Sequence, residues 1–82
     1  MSRKRQFNEL CRKIISEFYM RGNNKPFSSK EFRLVIGKEY VTTPYKLLKR
    51  LNSKNIIKHI KRGYWRVTDE AFERFKKGEF ND

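Results

Sequence analysis

The chain has 82 residues and carries 21 lysine and arginine residues against 9 aspartate and glutamate residues, a formal net charge of +12. A chain of this length buries only about 60% of the surface that its unfolded form exposes, which excludes a large catalytic cleft with a separate cofactor domain. A polyanion relieves the self-repulsion of so much positive charge, so the composition predicts a nucleic acid or an anionic membrane surface as partner.

The first predicted element is a helix that ends near Met20. Its apolar residues recur at helical spacing over three turns: Phe7, Leu10, Cys11, Ile14, Ile15 and Phe18. The six residues before this stripe, MSRKRQ, are expected to form a basic flexible arm. The turn-forming sequence RGNNKP at residues 21–26 ends the helix, and we expect Phe27 in a very short strand.

Two further helices follow. Ser28 and Glu31 have the spacing of a capping box that opens the second helix, and Gly37 suits the left-handed conformation that ends it. The third helix, at about residues 44–54, has Thr43 as its N-cap and Pro44 at its first position. Its apolar stripe is Leu47, Leu48 and Leu51, and its opposite side carries Tyr45, Lys46, Lys49, Arg50 and Ser53.

The stretch IIKHIKRGYWRVTDEAF, residues 56–72, predicts a hairpin followed by a helix. The first strand runs from Ile56 to Ile60, Lys61-Arg62-Gly63 forms a short loop, and residues 64–67 form the return strand. Alternation places Trp65 and Val67 on the face toward the helices and Tyr64 on the other. Thr68 caps the last helix, whose first turn is acidic.

This order of elements resembles a winged helix-turn-helix domain. The likeness covers residues 7–77, leaving 78–82 as a C-terminal tail, and it rests on the turn at Gly37, the run LLKRLNSKNIIKHI and the return strand RGYWRVTDEAF. In size and charge the chain also resembles small winged-helix transcriptional regulators of archaea and their viruses. The resemblance implies an α+β fold with a three-helix core, a short first strand, a two-stranded hairpin wing at residues 57–67 and a C-terminal helix. It further implies double-stranded DNA binding, with the third helix in the major groove and the wing on the backbone.

The charge pattern agrees with this expectation. The window from residue 40 to residue 66 contains eight cations and no acid. Arg50 is the best candidate for bidentate contact with guanine, and Lys46 and Lys49 suit bases or phosphates. We expect the cations between positions 46 and 66 to converge on one flank. The predicted DNA-binding residues are Thr43, Tyr45, Lys46, Lys49, Arg50, Ser53, Lys58, Lys61, Arg62 and Tyr64.

Other interpretations of the same surface are an RNA-binding component of a ribonucleoprotein and a module that docks on an acidic protein. Tyr64 could lie against sugar–phosphate or stack on single-stranded bases. A membrane partner is disfavoured, because no helix combines the cations with a large exposed apolar face. A homodimer through the first helix or through Phe72, Phe75 and Phe80 is plausible, unless these residues belong to the chain's own core.

The sequence contains no constellation typical of an enzyme and no cofactor motif. His59 is the only histidine and Cys11 the only cysteine, so a metal site lacks companion ligands and an internal disulfide is impossible. We expect His59 to be structural or near phosphate and Cys11 to be a buried free thiol. The absence of a signal peptide and of a long apolar run predicts a cytoplasmic protein, nucleoid-associated in a prokaryote or within the host cell if viral.

Overall fold

The computed structural model describes residues 3–37 and 43–81, with the side chains of residues 5–37 and 43–81. In chain order the elements are α1 (Arg3–Ile14), which continues as a π-helical segment (Ile15–Met20), β1 (Phe27–Ser28), α2 (Ser29–Ile36), α3 (Pro44–Ser53), β2 (Ile57–Lys61), β3 (Tyr64–Val67) and α4 (Asp69–Lys76). These elements form an α+β fold with a three-stranded antiparallel sheet. The predicted class and order of elements are confirmed.

Short side chains fix where three of the helices begin. The hydroxyl of Ser28 accepts from the Glu31 N–H at 3.2 Å while the Glu31 carboxylate accepts from the Ser28 N–H, which is the predicted capping box. Thr43 accepts from the backbone N–H of Lys46, and Pro44 follows it. Thr68 caps α4 in the same way. The residues at each helix start therefore determine where α2, α3 and α4 begin. The apolar side of each helix then faces the core.

The first helix ends at Met20, as predicted, but it differs from its prediction at its start and in its last turns. It begins at Arg3, so residues 3–6, expected in a flexible arm, belong to α1; Met1 and Ser2 lie outside the described residues. After Ile14 the helix widens to a π-helix, and the Arg21 N–H then donates to the carbonyl of Ser16, five residues back. A side chain at Gly22 would meet the Phe18 carbonyl at 2.9 Å, so this close turn requires glycine.

The sheet has the strand order β1–β3–β2. β2 and β3 are joined by the two-residue turn Arg62-Gly63, in which Gly63 has φ +82°. The cross-strand pairs of the hairpin are Ile57–Val67, Lys58–Arg66, His59–Trp65 and Lys61–Tyr64. The register shifts between His59 and Lys61, so Ile60 is an extra residue that forms a bulge. Lys61, predicted in the loop, is the last residue of β2.

One apolar core holds the helices against the sheet. Its buried residues are Leu10, Cys11, Ile14, Ile15, Phe18, Phe27, Phe32, Ile36, Leu47, Leu48, Leu51, Ile56, Ile57, Val67, Ala71 and Phe80. Phe80 is only 3% exposed, so the core extends beyond residue 77, where the sequence predicted the domain to end. Phe72 and Phe75 pack against this core, and Phe72 stacks on Tyr19 at 4.3 Å. The aromatic residues considered for a dimer interface thus contribute to the chain's own packing.

Candidate functional site

Helix α3 presents its polar side outward. Its buried side is Leu47, Leu48 and Leu51, which anchor it to the core. Lys46, Lys49 and Ser53 project from the opposite side and are exposed, as predicted. The Ser53 hydroxyl donates its proton to the Arg50 carbonyl at 2.8 Å, so toward a ligand this hydroxyl serves as an acceptor.

Arg50 lies on one flank of this outward side rather than at its centre. Its guanidinium carbon is 4.8 Å from the centre of the Phe7 ring, and the Lys54 ammonium is 5.8 Å from the same ring. Both cations therefore lean toward α1 and stack on its aromatic side chain. Sequence reasoning selected Arg50 as the leading base-reading residue, and it could not foresee that α1 would supply this ring.

The other flank of α3 faces the hairpin across an open groove. The groove has a volume of about 360 Å³, with Tyr45, Lys49 and Asn52 on the helix side. Its hairpin side is formed by His59, Gly63 and Trp65, and Leu48 also lines it. Asn52 is absent from the residues predicted from sequence. Its spacing of three and seven residues from Lys49 and Tyr45 is the signal that could have found it.

The hairpin divides its cations between two faces. Side chains alternate along a strand, so cross-strand partners share a face. Ile57 and Val67 are buried, which places the His59–Trp65 pair on the same face, toward α3. The Lys58–Arg66 and Lys61–Tyr64 pairs occupy the opposite face, where the Lys61 ammonium lies 4.8 Å from the Tyr64 ring centre.

The expectation that all cations between positions 46 and 66 converge on one flank is therefore wrong for part of the set. Lys46 and Lys49 share the outward side of α3, and Arg62 is exposed at the hairpin tip. Lys58, Lys61 and Arg66 lie on the far face of the sheet. Strand alternation places Lys58 and Arg66 on the face of the hairpin that points away from α3. The bulge at Ile60 moves Lys61 to that same face, beside Tyr64.

A larger depression of about 480 Å³ lies on this far face. Lys58 and Arg66 line it together with Asp69, at the start of α4. The Asp69 carboxylate accepts a hydrogen bond from the Tyr19 hydroxyl at 2.7 Å, and this bond raises the pKa of Tyr19. An acid in the lining opposes a phosphate ligand, so the groove beside α3 is the better candidate for binding a polyanion.

Most acids of the described residues have partners away from α3 and the hairpin. Glu17 pairs with Arg21, Glu73 with Lys76 and Glu79 with Arg74. Glu70 accepts from the side-chain amide of Asn55. Within residues 5–37 and 43–81, no acid forms an ion pair with Lys46, Lys49, Lys58, Lys61, Arg62 or Arg66. These six charges are thus available to an external anion.

The two residues considered for metal or redox chemistry are otherwise occupied. His59 packs on Trp65 with ring centres 5.1 Å apart, at the edge of the groove. Cys11 is fully buried, and burial raises the pKa of its thiol to about 12. In the part of the chain that the structure describes, no group of three His, Cys, Asp or Glu side chains could hold a metal ion.

Comparisons of the chain with protein-family models, with curated proteins and with solved structures find no match. Among the described residues, the helices are all too short or too polar to cross a membrane. Any assignment of function therefore depends on the outward side of α3, the hairpin and the groove between them.

Proposed function

We propose that the chain is a winged-helix transcriptional regulator that binds double-stranded DNA, with α3 in the major groove and the β2–β3 hairpin as a wing on the backbone. The observation that carries this proposal is the exposed, acid-free outward side of α3 standing beside the hairpin. The major groove of B-DNA is about 12 Å wide and admits one α-helix. Three buried leucines anchor α3 to the core and hold the helix rigid for insertion into the major groove.

Lys49 and Asn52 are the proposed base-reading residues. Both lie on the groove side of α3, one helical turn apart. An asparagine amide can pair with N6 and N7 of adenine, and a lysine ammonium can donate to O6 and N7 of guanine. A good bidentate pair discriminates against a wrong base by about 1–3 kcal/mol. Arg50, stacked on Phe7, is assigned to a phosphate at the other edge of the major groove.

The remaining contacts go to the backbone. The N-terminus of α3, capped by Thr43, directs free N–H groups and a partial positive charge at a phosphate, and Lys46 extends from the same turn. Arg62 and the neighbouring N–H groups at the two-residue hairpin tip can meet the adjacent phosphates. A tip this short favours contact with the backbone over deep insertion into the minor groove.

The salt dependence of binding tests the proposal. With about six phosphate contacts, the logarithm of the association constant falls against the logarithm of salt concentration with a slope near −5. Fluorescence anisotropy of a labelled duplex, titrated at several NaCl concentrations, measures this slope. Lys46→Gln should make the slope shallower by about 1, because one phosphate contact is lost. Lys76→Gln is the matched control, since Lys76 pairs with Glu73 on α4 and should leave the slope unchanged.

A flat salt response would eliminate polyanion binding. Preferential competition by structured RNA of equal length would move the assignment to a ribonucleoprotein component. Selection of bound duplexes from a random pool then tests regulation, because a regulator must converge on a motif whereas an architectural protein does not. Light scattering with and without the selected duplex determines whether one chain or two occupy it.

A further inference from the structure

Three aromatic side chains line the groove between α3 and the hairpin. Tyr45 is 68% exposed at its edge, Trp65 is partly buried, and the His59 ring lies against Trp65. The side chain of Leu48 is almost fully buried and provides an apolar floor. Beyond Tyr45 and Trp65 the groove continues toward α2 as a second depression of about 350 Å³. Together these depressions form a slot whose volume is in the range of small-ligand sites.

Cations stand at both ends of this slot. Lys49 lies at the hairpin end with the side-chain amide of Asn52, while Lys30 and Arg33 line the α2 end. A flat apolar slot with an amide inside and positive charge at each end matches a nucleotide, which has a flat ring with polar edges and a phosphate on either side. An apolar peptide would leave these cations without partners.

We infer that this slot binds an unpaired nucleobase of the nucleic acid held by α3 and the hairpin. The inference rests on the proposed function and deepens it, because it names duplexes that contain an unpaired nucleotide as the preferred ligand. A base within an intact duplex is covered on both faces by its neighbours and cannot enter a slot between Tyr45 and Trp65. An extrahelical base has already lost that stacking. When it enters the slot, contacts with aromatic rings replace its contacts with water.

Three duplexes of identical length and flanking sequence test the inference. The first is fully paired, the second carries one unpaired adenine, and the third carries an abasic site at the bulged position. Stacking on an aromatic side chain contributes enough to predict about tenfold tighter binding of the adenine bulge than of the paired duplex. The abasic bulge bends the duplex in the same way but offers no base, so its affinity should equal that of the paired duplex.

Two variants assign the effect to the slot. Tyr45→Leu keeps an apolar side chain but removes the ring, and it should bring the ratio of bulged to paired affinity down to about one. Tyr64→Leu removes the exposed tyrosine on the opposite face of the hairpin, which is the other aromatic side chain considered above for stacking on unpaired bases. It should leave the ratio at about ten. Trp65 is the only tryptophan, so its fluorescence should be quenched by the adenine bulge and not by the abasic one.

The outcomes separate the inference from the proposed function. Equal affinity for all three duplexes, with the expected salt slope, overturns the inference and leaves duplex binding intact. Tighter binding of both bulges alike also overturns it, since deformability would then be the cause. Failure to bind any of the three refutes both.

Discussion

Arg50 shows how a side chain's role depends on a neighbour far away in sequence. A helical wheel places it beside Lys46 and Lys49, which made it the leading candidate for contact with guanine. In the folded chain its guanidinium stacks on Phe7, so the proposed DNA complex assigns base reading to Lys49 and Asn52 instead. The exposure of Lys46, Lys49 and Ser53 was therefore predictable from the sequence, whereas the contact between Arg50 and Phe7 was not.

Cys11 leads to a prediction about pH. Its buried thiol has a pKa of about 12 in the folded chain against an ordinary value of 9.0. The unfolded chain therefore loses the thiol proton at a lower pH than the folded chain does. Titration of Cys11 leaves the free energy of unfolding unchanged below pH 9 and lowers it as the pH rises from 9 toward 12. Within this window the thiol should contribute a loss of up to about 1.4 kcal/mol per pH unit.

Urea unfolding at several pH values measures that slope. Cys11→Ala is the comparison, because it removes the titrating group while all other ionisable residues remain. The variant is less stable at neutral pH owing to its cavity, so the slopes and not the absolute free energies are compared. Identical slopes for the two proteins above pH 9 would show that the thiol does not contribute.

At the scale of elements, local chemistry decided the boundaries that were predicted correctly. The caps at Ser28, Thr43 and Thr68 and the positive φ angles of Gly37 and Gly63 depend on residues within a few positions. The features that sequence did not reveal depend on distant partners. The bulge at Ile60 follows from pairing with β3. The π-helical segment contains Phe18, whose ring stacks on Phe27, nine residues later in the chain.

Thr68 is the cap with the largest predicted effect on stability. Its hydroxyl accepts from the Ala71 N–H at 3.0 Å and donates to the Asn55 carbonyl at 2.7 Å, which ties α4 to the end of α3. Thr68→Val preserves shape but removes both bonds, and it should lower the free energy of unfolding by about 2 kcal/mol. Thr43→Val is the matched control. Its hydroxyl makes a single 3.4 Å capping bond, so it should cost about 0.5 kcal/mol.

Chemical denaturation of the two variants beside the parent chain gives both values. Equal losses would mean that the bond from Thr68 to Asn55 contributes nothing beyond helix capping. The comparison also reports on the candidate site, since Thr43 is assigned both to the start of α3 and to a backbone contact. Loss of DNA affinity in Thr43→Val without loss of stability would separate these two roles.

At the scale of the whole molecule, the net charge makes the stability of the free chain depend on salt concentration. The Debye length is about 30 Å at 0.01 M salt, which exceeds the radius of gyration of 11.6 Å, so like charges repel across the entire domain. At 0.15 M it falls to about 8 Å, and repulsion acts only between close neighbours. We predict that this change stabilises the free chain by about 1 kcal/mol, or about 4–8 °C in Tm.

Thermal unfolding followed by circular dichroism at the two salt concentrations tests this prediction. The Lys46→Gln, Lys49→Gln double variant should show a smaller increase in Tm, because fewer charges remain to be screened. A Tm that does not move with salt would show that self-repulsion is negligible. Salt thus has opposite effects on the two properties: it stabilises the free chain and weakens its proposed complex with DNA.

The uneven distribution of charge also bears on how fast a complex forms. Residues 40–66 hold eight cations and no acid, whereas residues from 67 onward hold five acids and three cations. The net positive charge attracts a polyanion before the surfaces touch. For the proposed DNA complex we therefore expect an association rate constant above the about 10⁵–10⁶ M⁻¹s⁻¹ of unsteered pairs.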